Sequence, residues 1–468
     1  MTTEIMGIVN LTPDSFSDGG MLDNPERAAE YVQRLIDTGA TIIDIGGEST
    51  RPGAAVVSLE EELSRTIPVI QQLTAVLPKG VSVSIDTRKP AVAASALDAG
   101  ASMINDISGF CDPDMIELAV RSGAHCIVMH MQGEPENMQD EPFYVDVLQE
   151  VTDYLLQRAN QLVEAGVDAE KIYLDPGFGF GKTKTHNLEL LVNLNTMARA
   201  FRKEGYKLAA GISRKSLIGQ VLGIEDPLAR DLASAQLATA MAADGVSLLR
   251  VHDVASTVAE IERCHKGESA HSEAYLALGS NLGGPIANIA TALVYIDKLP
   301  LTRLKEVASP VLSEPAYDLD QMDFTNTVCR IETGLGPLAL FTYLQAIEAD
   351  MGREKFRENG PRVIDIDLLT FASDSIDLPG LSLPHPRITE RAFVLEPLAE
   401  IAPDFTLPDG QPPKAADTIY GSVKAVMPLE LLTNEIAKKK QRDERATQFQ
   451  EGYTKDPYDN WDDWNNWK

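Results

Sequence analysis

The stretch ATIIDIGGESTRPG at residues 40–53 contains the unit from which the first part of the chain is built. Its β-branched run, TIIDIG, carries a carboxylate near its end and leads into a polar, glycine-rich loop. Similar runs alternate with amphipathic stretches at residues 4–10, 81–86, 102–106, 125–130, 172–175, 207–212 and 247–252. Eight strands alternating with helices predict an α/β fold, with a closed (β/α)8 TIM barrel over residues 1–265. An open doubly wound sheet is the alternative.

The eight runs share a polar or ionisable side chain at or near their ends. These side chains are Asn10, Asp44, Asp86, Asn105 with Asp106, His130, Asp175, Ser213 and Arg250. In a (β/α)8 barrel the carboxyl ends of the strands meet at one rim, where active sites are built. Strands often end in polar residues as they meet solvent, but eight of eight favours a functional rim.

The predicted rim combines two chemical sets. Acids and amides occur at Asn10, Asp44, Asp86, Asn105 and Asp175, and bases occur at Arg51, Arg214, Lys215, Arg250 and His252. Carboxylates and amides suit a flat heterocycle with several N–H donors and a carbonyl, and the bases suit phosphate oxygens. The residues alone therefore predict a barrel enzyme that handles a nitrogen heterocycle bearing phosphate.

The segment GFGFGK at residues 177–182 looks like a nucleotide-binding loop but has the wrong spacing. A Walker A motif needs four residues between its first glycine and its Gly-Lys pair, and this segment has three. It follows a strand end and fits a flexible barrel loop better. A solvated side chain is one alternative for Lys182.

Bulk composition limits the classes of function. The 468 residues suffice for two or three domains, and the formal net charge of −29 argues against nucleic acid or an anionic membrane as partner. The first residues lack a signal-peptide pattern, and no apolar run approaches the length of a membrane span. The cysteines at positions 111, 126, 264 and 329 have no metal-like spacing. We expect a cytoplasmic enzyme with reduced thiols.

The pattern changes after a polar linker at residues 266–272. Strands are predicted at 274–278, 304–311, 324–331 and 365–371, and helices at 285–299 and 337–351. Fewer strands and two main helices predict a smaller α+β domain over residues 273–433. From residue 434 the chain is rich in Lys, Asp, Asn and Trp without a usable period, which predicts a disordered C-terminal tail.

Asp365 and Asp367 are the candidate functional residues of this second region. Alternate residues of a strand share one face, so both carboxylates point to the same side. Two carboxylates suit Mg²⁺ ions on a polyphosphate, although a solvated strand face is the commoner cause of such a pair. Nearby bases, among them Arg353 and Arg362, supply partners for phosphate oxygens.

The first region closely resembles the dihydropteroate synthases. The matching segments are MGIVNLTPDSFSDGG at 6–20, DIGGESTRPG at 44–53, SIDT at 84–87, INDI at 104–107, MHMQG at 129–133, DPGFGFGK at 175–182, SRKS at 213–216 and RVH at 250–252. The pterin-binding domains of methyltransferases share a similar barrel, but the STRP and SRKS segments favour the synthase.

This resemblance implies the condensation of a dihydropterin diphosphate with p-aminobenzoate, which releases pyrophosphate. It assigns roles to the following residues: Asn10 ligates Mg²⁺; Asp86, Asn105, Asp175 and Lys215 hold the pterin; Thr50, Arg250 and His252 bind the diphosphate, and Arg51 contributes to substrate binding. Asp86 and Lys215 act in catalysis. Loops at 16–20 and 50–53 close over the site, and a homodimer through the barrel is expected.

The second region resembles the 6-hydroxymethyl-dihydropterin pyrophosphokinases, which are ferredoxin-like enzymes. The matching segments are ALGSNL at 277–282, DFTN at 323–326, GR at 352–353, GPRVIDIDL at 360–368, LPH at 383–385, RAF at 391–393 and EPL at 396–398. The loop at 354–359 is one residue shorter than in the members compared, and Phe324 replaces a common tyrosine.

The second resemblance implies pyrophosphoryl transfer from ATP to 6-hydroxymethyl-7,8-dihydropterin. Its residues are assigned as follows: Asp365 and Asp367 bind two Mg²⁺; Arg353 and Arg362 act in catalysis; Glu348, Arg353, Arg362, His385 and Arg391 bind ATP; Phe324, Asn326 and Phe393 bind the pterin. The chain is therefore predicted to be a bifunctional enzyme of folate biosynthesis. A second region that serves only for pterin binding or assembly, and a methyl-transfer barrel, are the alternatives.

Overall fold

The computed structural model describes residues 3–12, 25–49, 56–265, 271–316, 320–353, 360–413 and 420–452. They form two compact units. Unit 1 comprises the described parts of Met1–Ser272, Thr333–Asp350 and Asp374–Leu383, and unit 2 comprises those of Glu273–Glu332, Met351–Ser373 and Pro384–Lys468. No helix in these ranges is long and apolar enough to cross a membrane.

Unit 1 is built on a closed barrel of eight parallel strands, each hydrogen-bonded to the next in chain order. The strands are β1 (Glu4–Asn10), β2 (Ile42–Gly46), β3 (Ser82–Asp86), β4 (Met103–Asp106), β5 (His125–Met129), β6 (Ile172–Asp175), β7 (Lys207–Ala210) and β8 (Leu248–Val251). Closure through the pairing of β1 with β8 confirms the predicted barrel and excludes the open sheet.

Helices follow the strands on the outside of the barrel. They are α1 (Pro25–Asp37), α2 (Leu59–Thr74), α3 (Pro90–Asp98), α4 (Pro113–Ser122), α5 (Val147–Ala165), α6 (Lys184–Val192), α7 (Leu194–Lys203), α8 (Ser216–Leu222), α9 (Asp231–Ala243) and α10 (Val254–His265). Their ends follow local rules. In α4, the Asp112 side chain accepts from the backbone N–H of Asp114, Pro113 takes the first helical position, and Gly123 ends the helix with φ 63°.

The barrel interior is layered because side chains alternate between its two faces. An apolar layer fills the middle and consists of Met6, Ile42, Met103, Ile127, Tyr173, Ala209 and Leu248. Two residues further along four of these strands, the inward positions are polar: Asp44, Asn105, Asp175 and Arg250. The apolar layer closes the barrel below, so the polar layer forms the floor of the rim.

Unit 1 also contains two segments that the sequence analysis placed in the second domain. They are α12 (Pro337–Asp350) and a hairpin of β14 (Ile376–Leu378) and β15 (Leu381–Leu383). The Gln236 side chain accepts hydrogen bonds from the backbone N–H groups of Leu338 and Ala339, at 2.9 and 3.3 Å. These groups have no partner within their own helix, so Gln236 satisfies the buried start of α12. Unit 1 thus includes chain from both predicted domains, and the predicted boundary near residue 272 stays a prediction.

Unit 2 is an α+β unit with a six-stranded sheet. Its elements are β9 (Ser272–Ser280), α11 (Pro285–Lys298), β10 (Thr302–Val307), β11 (Val311–Ser313), β12 (Phe324–Thr333), β13 (Asp365–Phe371), α13 (Ala392–Ile401), β16 (Val423–Val426) and α14 (Leu429–Gly452). The sheet order is β13-β9-β12-β11-β16, and β10 also pairs with β12. The strand predicted at 304–311 is two strands, because Pro310 lacks the N–H that would continue the ladder.

The helix α14 corrects the predicted start of the disordered tail at residue 434. Leu432 is buried, and Lys298 and Lys440 make ion pairs with Asp443 and Asp297 at 2.6 and 2.8 Å. These contacts tie α14 to α11, which carries Asp297 and Lys298. Sequence periodicity missed the helix because charge pairing rather than a wide apolar face holds it. Residues 453–468 lie outside the described residues.

Candidate active sites

The barrel rim contains a buried network of two acids, an arginine and an amide. Arg250 on β8 donates from Nε to Asp44 Oδ2 at 2.7 Å and from Nη2 to Asp86 Oδ2 at 2.8 Å. Asn105 donates from Nδ2 to the same Asp44 oxygen at 3.1 Å. Four strands thus bring together side chains that lie up to 206 positions apart in the chain.

Burial controls the ionisation of this network. Burial, together with the negative charges of Asp44 and Glu62, raises the pKa of Asp86 to about 7, although Arg250 acts in the opposite direction. A Cβ at Gly46 would be in ordinary van der Waals contact with Asn10 Oδ1 and with Asp86 Oδ2, each at 3.6 Å, so both side chains lie beside this residue. Asn10 and Asp86 therefore face the same space at the barrel mouth.

Lys182 is buried in the glycine-rich loop, so its interpretation as a solvated lysine is wrong. Its side chain is held by backbone carbonyls: Nζ donates to Gly177 O at 3.1 Å and to Phe180 O at 3.0 Å. It also lies 3.0 Å from Nδ1 of His130. Burial lowers the pKa of Lys182 to about 7 and that of His130 to about 3. Lys182 thus fastens the two ends of the loop to each other.

The same loop connects two residues predicted to hold the pterin. Asp175 Oδ1 accepts from the backbone N–H of Gly177 at 2.7 Å, and Lys215 Nζ donates to Phe178 O at 2.7 Å. Burial raises the pKa of Asp175 and lowers that of Lys215 to about 8, while the two opposite charges limit both shifts. An acid and a base therefore both hydrogen-bond to the backbone of one loop.

Arg214 is turned away from the predicted phosphate set. It has φ 58°, a left-handed conformation rarely adopted by non-glycine residues, and makes two hydrogen bonds to Asp231 at 2.6 and 2.8 Å. This pairing holds the turn that directs the next residue, Lys215, towards the loop carbonyl. His252 lies on the other side of Ser213, with its Nδ1 3.1 Å from Ser213 Oγ.

Unit 2 contains a cavity lined by acids, arginines and aromatic rings. Asp365 forms ion pairs with Arg353 at 2.5 Å and with Arg362 at 2.6 Å. Asp367 pairs with Arg391 at 2.8 Å, and His385 Nε2 lies 3.9 Å from the same carboxylate. The two acids project from β13 on one side, as the sequence predicted.

The two acids of unit 2 differ in ionisation. Burial and the neighbouring Asp367 raise the pKa of Asp365 despite its arginines. Burial would also raise the pKa of Asp367, but the charges of Arg391 and His385 outweigh it and lower that pKa. No group of three or more acid, His or Cys side chains that could hold a metal occurs in the described ranges. One or two carboxylates with substrate phosphates are the usual Mg²⁺ ligands, so this pair fits that ion.

Aromatic rings and a fixed amide line the rest of the cavity. The guanidinium of Arg362 lies 5.5 Å from the centre of the Phe324 ring, and that of Arg391 lies 5.7 Å from the centre of the Phe393 ring. Asn326 donates to Ser313 Oγ at 2.9 Å. The cavity therefore offers aromatic faces beside a polar edge, an arrangement that suits a flat heterocycle.

The barrel region is similar to known proteins. Residues 6–252, more than half of the chain, match the family model for pterin binding enzymes. The chain belongs to the family of pterin-binding enzymes. A relative with 45% identity over 254 residues is the dihydropteroate synthase of Escherichia coli strain K12, and the match covers 54% of this chain and 88% of the relative.

Solved structures of other pterin-binding enzymes are also similar to the barrel part of this chain. The Yersinia pestis dihydropteroate synthase with a sulfonamide drug is 43% identical, with a TM-score of 0.54, and the match covers 57% of this chain and 95% of that one. The Xanthomonas albilineans dihydropteroate synthase with 4-aminobenzoic acid is 41% identical, with a TM-score of 0.52. The match covers 57% of this chain and 94% of that one.

The second part of this pterin-binding enzyme matches a different family model. Residues 275–403 match 7,8-dihydro-6-hydroxymethylpterin-pyrophosphokinase. The predicted pair of transferase domains, synthase first and pyrophosphokinase second, is therefore confirmed.

Most predicted site residues of the pterin-binding enzyme gather at the two sites. Exceptions are Thr50 and Arg51, together with the loops at 16–20, 50–53 and 354–359, which lie outside the described residues. Glu348 is buried on α12 in unit 1, where it accepts from Gln345 at 2.8 Å. Its assignment to ATP stays a prediction.

Asn281 was missed as an organising residue of the second site. It is buried, and its Oδ1 accepts from the backbone N–H of Arg362 at 2.9 Å while its Nδ2 donates to Met322 O at 3.1 Å. It therefore joins two loops at the cavity. Its position directly after β9 was the only sign of this role in the sequence. The sign was insufficient because its partners, Arg362 and Met322, lie in loops that are distant in sequence.

Proposed function

We propose that this chain catalyses two consecutive steps of folate biosynthesis. Unit 2 transfers the pyrophosphoryl group of ATP to 6-hydroxymethyl-7,8-dihydropterin, and the barrel condenses the product with p-aminobenzoate to give dihydropteroate and pyrophosphate. One observation carries the proposal: each site places carboxylates beside arginines that can bind phosphate, and each also offers polar groups for a heterocycle. The first product has the chemistry that the second site needs.

In the barrel, we assign the pterin to Asp86, Asn105, Asp175 and Lys215. A carboxylate at Asp175 accepts from paired N–H groups of the ring, and Lys215 donates to its carbonyl oxygen. Arg250 and His252, with Thr50 and Arg51, bind the diphosphate. The C–O bond to the diphosphate breaks, the amine nitrogen of p-aminobenzoate forms the new C–N bond and loses a proton, and pyrophosphate leaves. Asp86 stabilises the positive charge that develops on the pterin.

In unit 2, the pterin stacks between Phe324 and Phe393, with Asn326 at its polar edge. Its hydroxyl oxygen attacks the β-phosphorus of ATP, loses its proton and displaces AMP. Arg353, Arg362, His385 and Arg391 hold phosphate oxygens and neutralise charge in the transition state, and Glu348 is assigned to the nucleotide. The ion pairs of these arginines with Asp365 and Asp367 support this role, because they bring the bases to the place where polyphosphate would lie.

Magnesium is the metal that we assign to both sites, held by Asp365 and Asp367 in unit 2 and by Asn10 in the barrel. When bound, Mg²⁺ neutralises phosphate charge and orients the polyphosphate. The carboxylate pair supports this assignment by its chemistry, since oxygen donors suit this hard cation.

The test supplies the full chain with 6-hydroxymethyl-7,8-dihydropterin, ATP, Mg²⁺ and p-aminobenzoate. We expect AMP, pyrophosphate and dihydropteroate in equal amounts. AMP without dihydropteroate would refute the synthase assignment. Dihydropteroate only from supplied dihydropterin diphosphate, without AMP formation from ATP, would refute the kinase assignment and leave unit 2 as a binding module.

We further propose that the enzyme works in the cytoplasm and forms a homodimer through its barrel. The four free cysteines support a reducing compartment. Sedimentation of the purified full chain tests the dimer, and fractionation of cells tests the location.

A further inference from the structure

Asp44 is a buried acid in the barrel site to which the proposed reaction gives no role. It lies on β2, with a relative exposure of 0%, between the register positions of Ile8 on β1 and Ser84 on β3. Removing a carboxylate from water costs several kcal/mol unless it is paired. The hydrogen bonds that offset this cost therefore indicate the role of Asp44.

One oxygen of Asp44 holds two residues assigned to different ends of the substrate. Its Oδ2 accepts from Arg250 Nε at 2.7 Å and from Asn105 Nδ2 at 3.1 Å. Arg250 is assigned to the diphosphate and Asn105 to the pterin. Asp44 therefore connects the two halves of the binding site within one layer of the barrel.

The contact with Asn105 determines which end of the amide faces the substrate. The Oδ2 atom of Asp44 accepts from Nδ2 of Asn105, so it faces the NH₂ end of the amide. The carbonyl oxygen of Asn105 is then turned the other way, as an acceptor. A heterocycle with an N–H group matches this acceptor, whereas a ring nitrogen with a lone pair does not.

The contact with Arg250 determines the plane of its guanidinium. Asp44 takes Nε and Asp86 takes Nη2, so two carboxylates on neighbouring strands fix the planar group at two points. A planar guanidinium fixed in this way presents its remaining N–H groups in one direction.

We propose that Asp44 is a positioning residue that determines specificity for the pterin diphosphate. It turns the carbonyl of Asn105 towards the ring and aligns Arg250 with the diphosphate. This inference rests on the synthase reaction proposed above.

The test compares Asp44→Asn with Asp106→Asn in the full chain. Asp106 is a matched control, because it is also a buried acid but accepts from the backbone N–H groups of Ser108 and Phe110, at 2.8 and 2.9 Å. For Asp44→Asn, we expect the KM for dihydropterin diphosphate and the inhibition constant of inorganic pyrophosphate to rise by roughly 10–100-fold. The KM for p-aminobenzoate, measured at saturating dihydropterin diphosphate, should change less than about twofold.

Asp106→Asn should lower the melting temperature and change these constants less than Asp44→Asn does, because its carboxylate contacts backbone N–H groups of the loop rather than Asn105 or Arg250. Unchanged constants in folded Asp44→Asn, or equal changes in both variants, would overturn the proposal. A crystal structure of the wild-type chain with dihydropteroate provides a test that needs no variant. Asp44 in direct contact with the pterin, or Asn105 with its NH₂ turned to the ligand, would also overturn it. Failure of the wild-type chain to form dihydropteroate would instead refute the synthase assignment.

Discussion

Both sites of this chain place acids beside arginines, but different elements of the fold carry these side chains. In the barrel, Asp44, Asp86 and Arg250 all stand on strands of one closed sheet, and Asp44 has 0% exposure. In unit 2, Asp365 and Asp367 stand on a strand with 23% and 30% exposure, but their arginines lie between elements or at the start of a helix.

This difference indicates which parts of each site are fixed before the substrate binds. Strand-borne charges in a buried floor cannot move without disturbing the sheet, and their interactions are strengthened by the low dielectric. Arginines outside the sheet can follow a polyphosphate from one oxygen to another. We therefore infer a preorganised site in the barrel and an adaptable one in unit 2.

The strongest test of this comparison separates the two activities. Asp365→Ala should lower AMP formation by roughly 10³-fold, because it removes a carboxylate assigned to Mg²⁺, and should leave synthase activity on supplied dihydropterin diphosphate within about twofold. Asp175→Ala should have the reverse effect. Coupled AMP and pyrophosphate assays measure both. Loss of both activities in either folded variant would contradict two independent sites.

A second test examines the rigidity of the barrel site. Lys182→Met removes the donor that fastens the loop between Asp175 and Lys215, and should lower kcat/KM of the synthase by roughly 10–100-fold through misplacement of these groups. Lys184→Met is the matched control, because Lys184 donates to Gln220 O at an exposed position. Equal activity of the two folded variants would show that the loop needs no such fastening.

A third test uses a buried acid of unit 1 that has no arginine partner in the described hydrogen bonds. Burial raises the pKa of Asp244 to about 7, although Tyr343 donates to it at 2.8 Å. A raised pKa in the folded protein means that ionisation opposes folding, by an amount that grows as pH rises from about 4 to 7. Asp244→Asn should therefore stabilise the chain above pH 7, by up to about 4 kcal/mol, and have little effect below pH 4.

Denaturant unfolding between pH 4 and pH 8 measures this effect. Tyr343→Phe provides a control of opposite sign, because it removes the donor that stabilises the ionised carboxylate, and should destabilise the chain mainly at pH 8. A pH-independent effect of Asp244→Asn would rule out ionisation as its cause.

The smallest expected effect concerns a partly buried acid of unit 2. Lys298 and Lys439 lower the pKa of Asp443, against the opposing effect of burial. A lowered pKa contributes stability above the ordinary value of 3.8, and this contribution is lost as pH falls below it. Asp443→Asn should destabilise α14 by about 0.3–1 kcal/mol at pH 7 and less in high salt. Hydrogen exchange of α14 amides measures it, and unaltered exchange would contradict the role of this pair.

The sequence predicted elements best where a local pattern repeats. The strand bounds of β1, β6 and β13 agree with the prediction, because alternation and β-branched runs are local properties. The hairpin of β14 and β15 and the helix α14 were missed. Their stability depends on partners outside their own segments, which no local pattern contains.

Local sequence patterns were sufficient to predict the barrel, the second α+β region and the chemical types at each site. Periodicity fixes which side chains face inward, and the residues at strand ends supply acids, amides and bases whatever their partners. Tertiary structure alone decided how these groups pair. It buried Lys182 against loop carbonyls, turned Arg214 to Asp231, assigned α12 to unit 1 and placed Asn105 and Arg250 on one oxygen of Asp44. The reason is that hydrogen bonding and burial depend on distances between strands and loops, which only the folded chain sets.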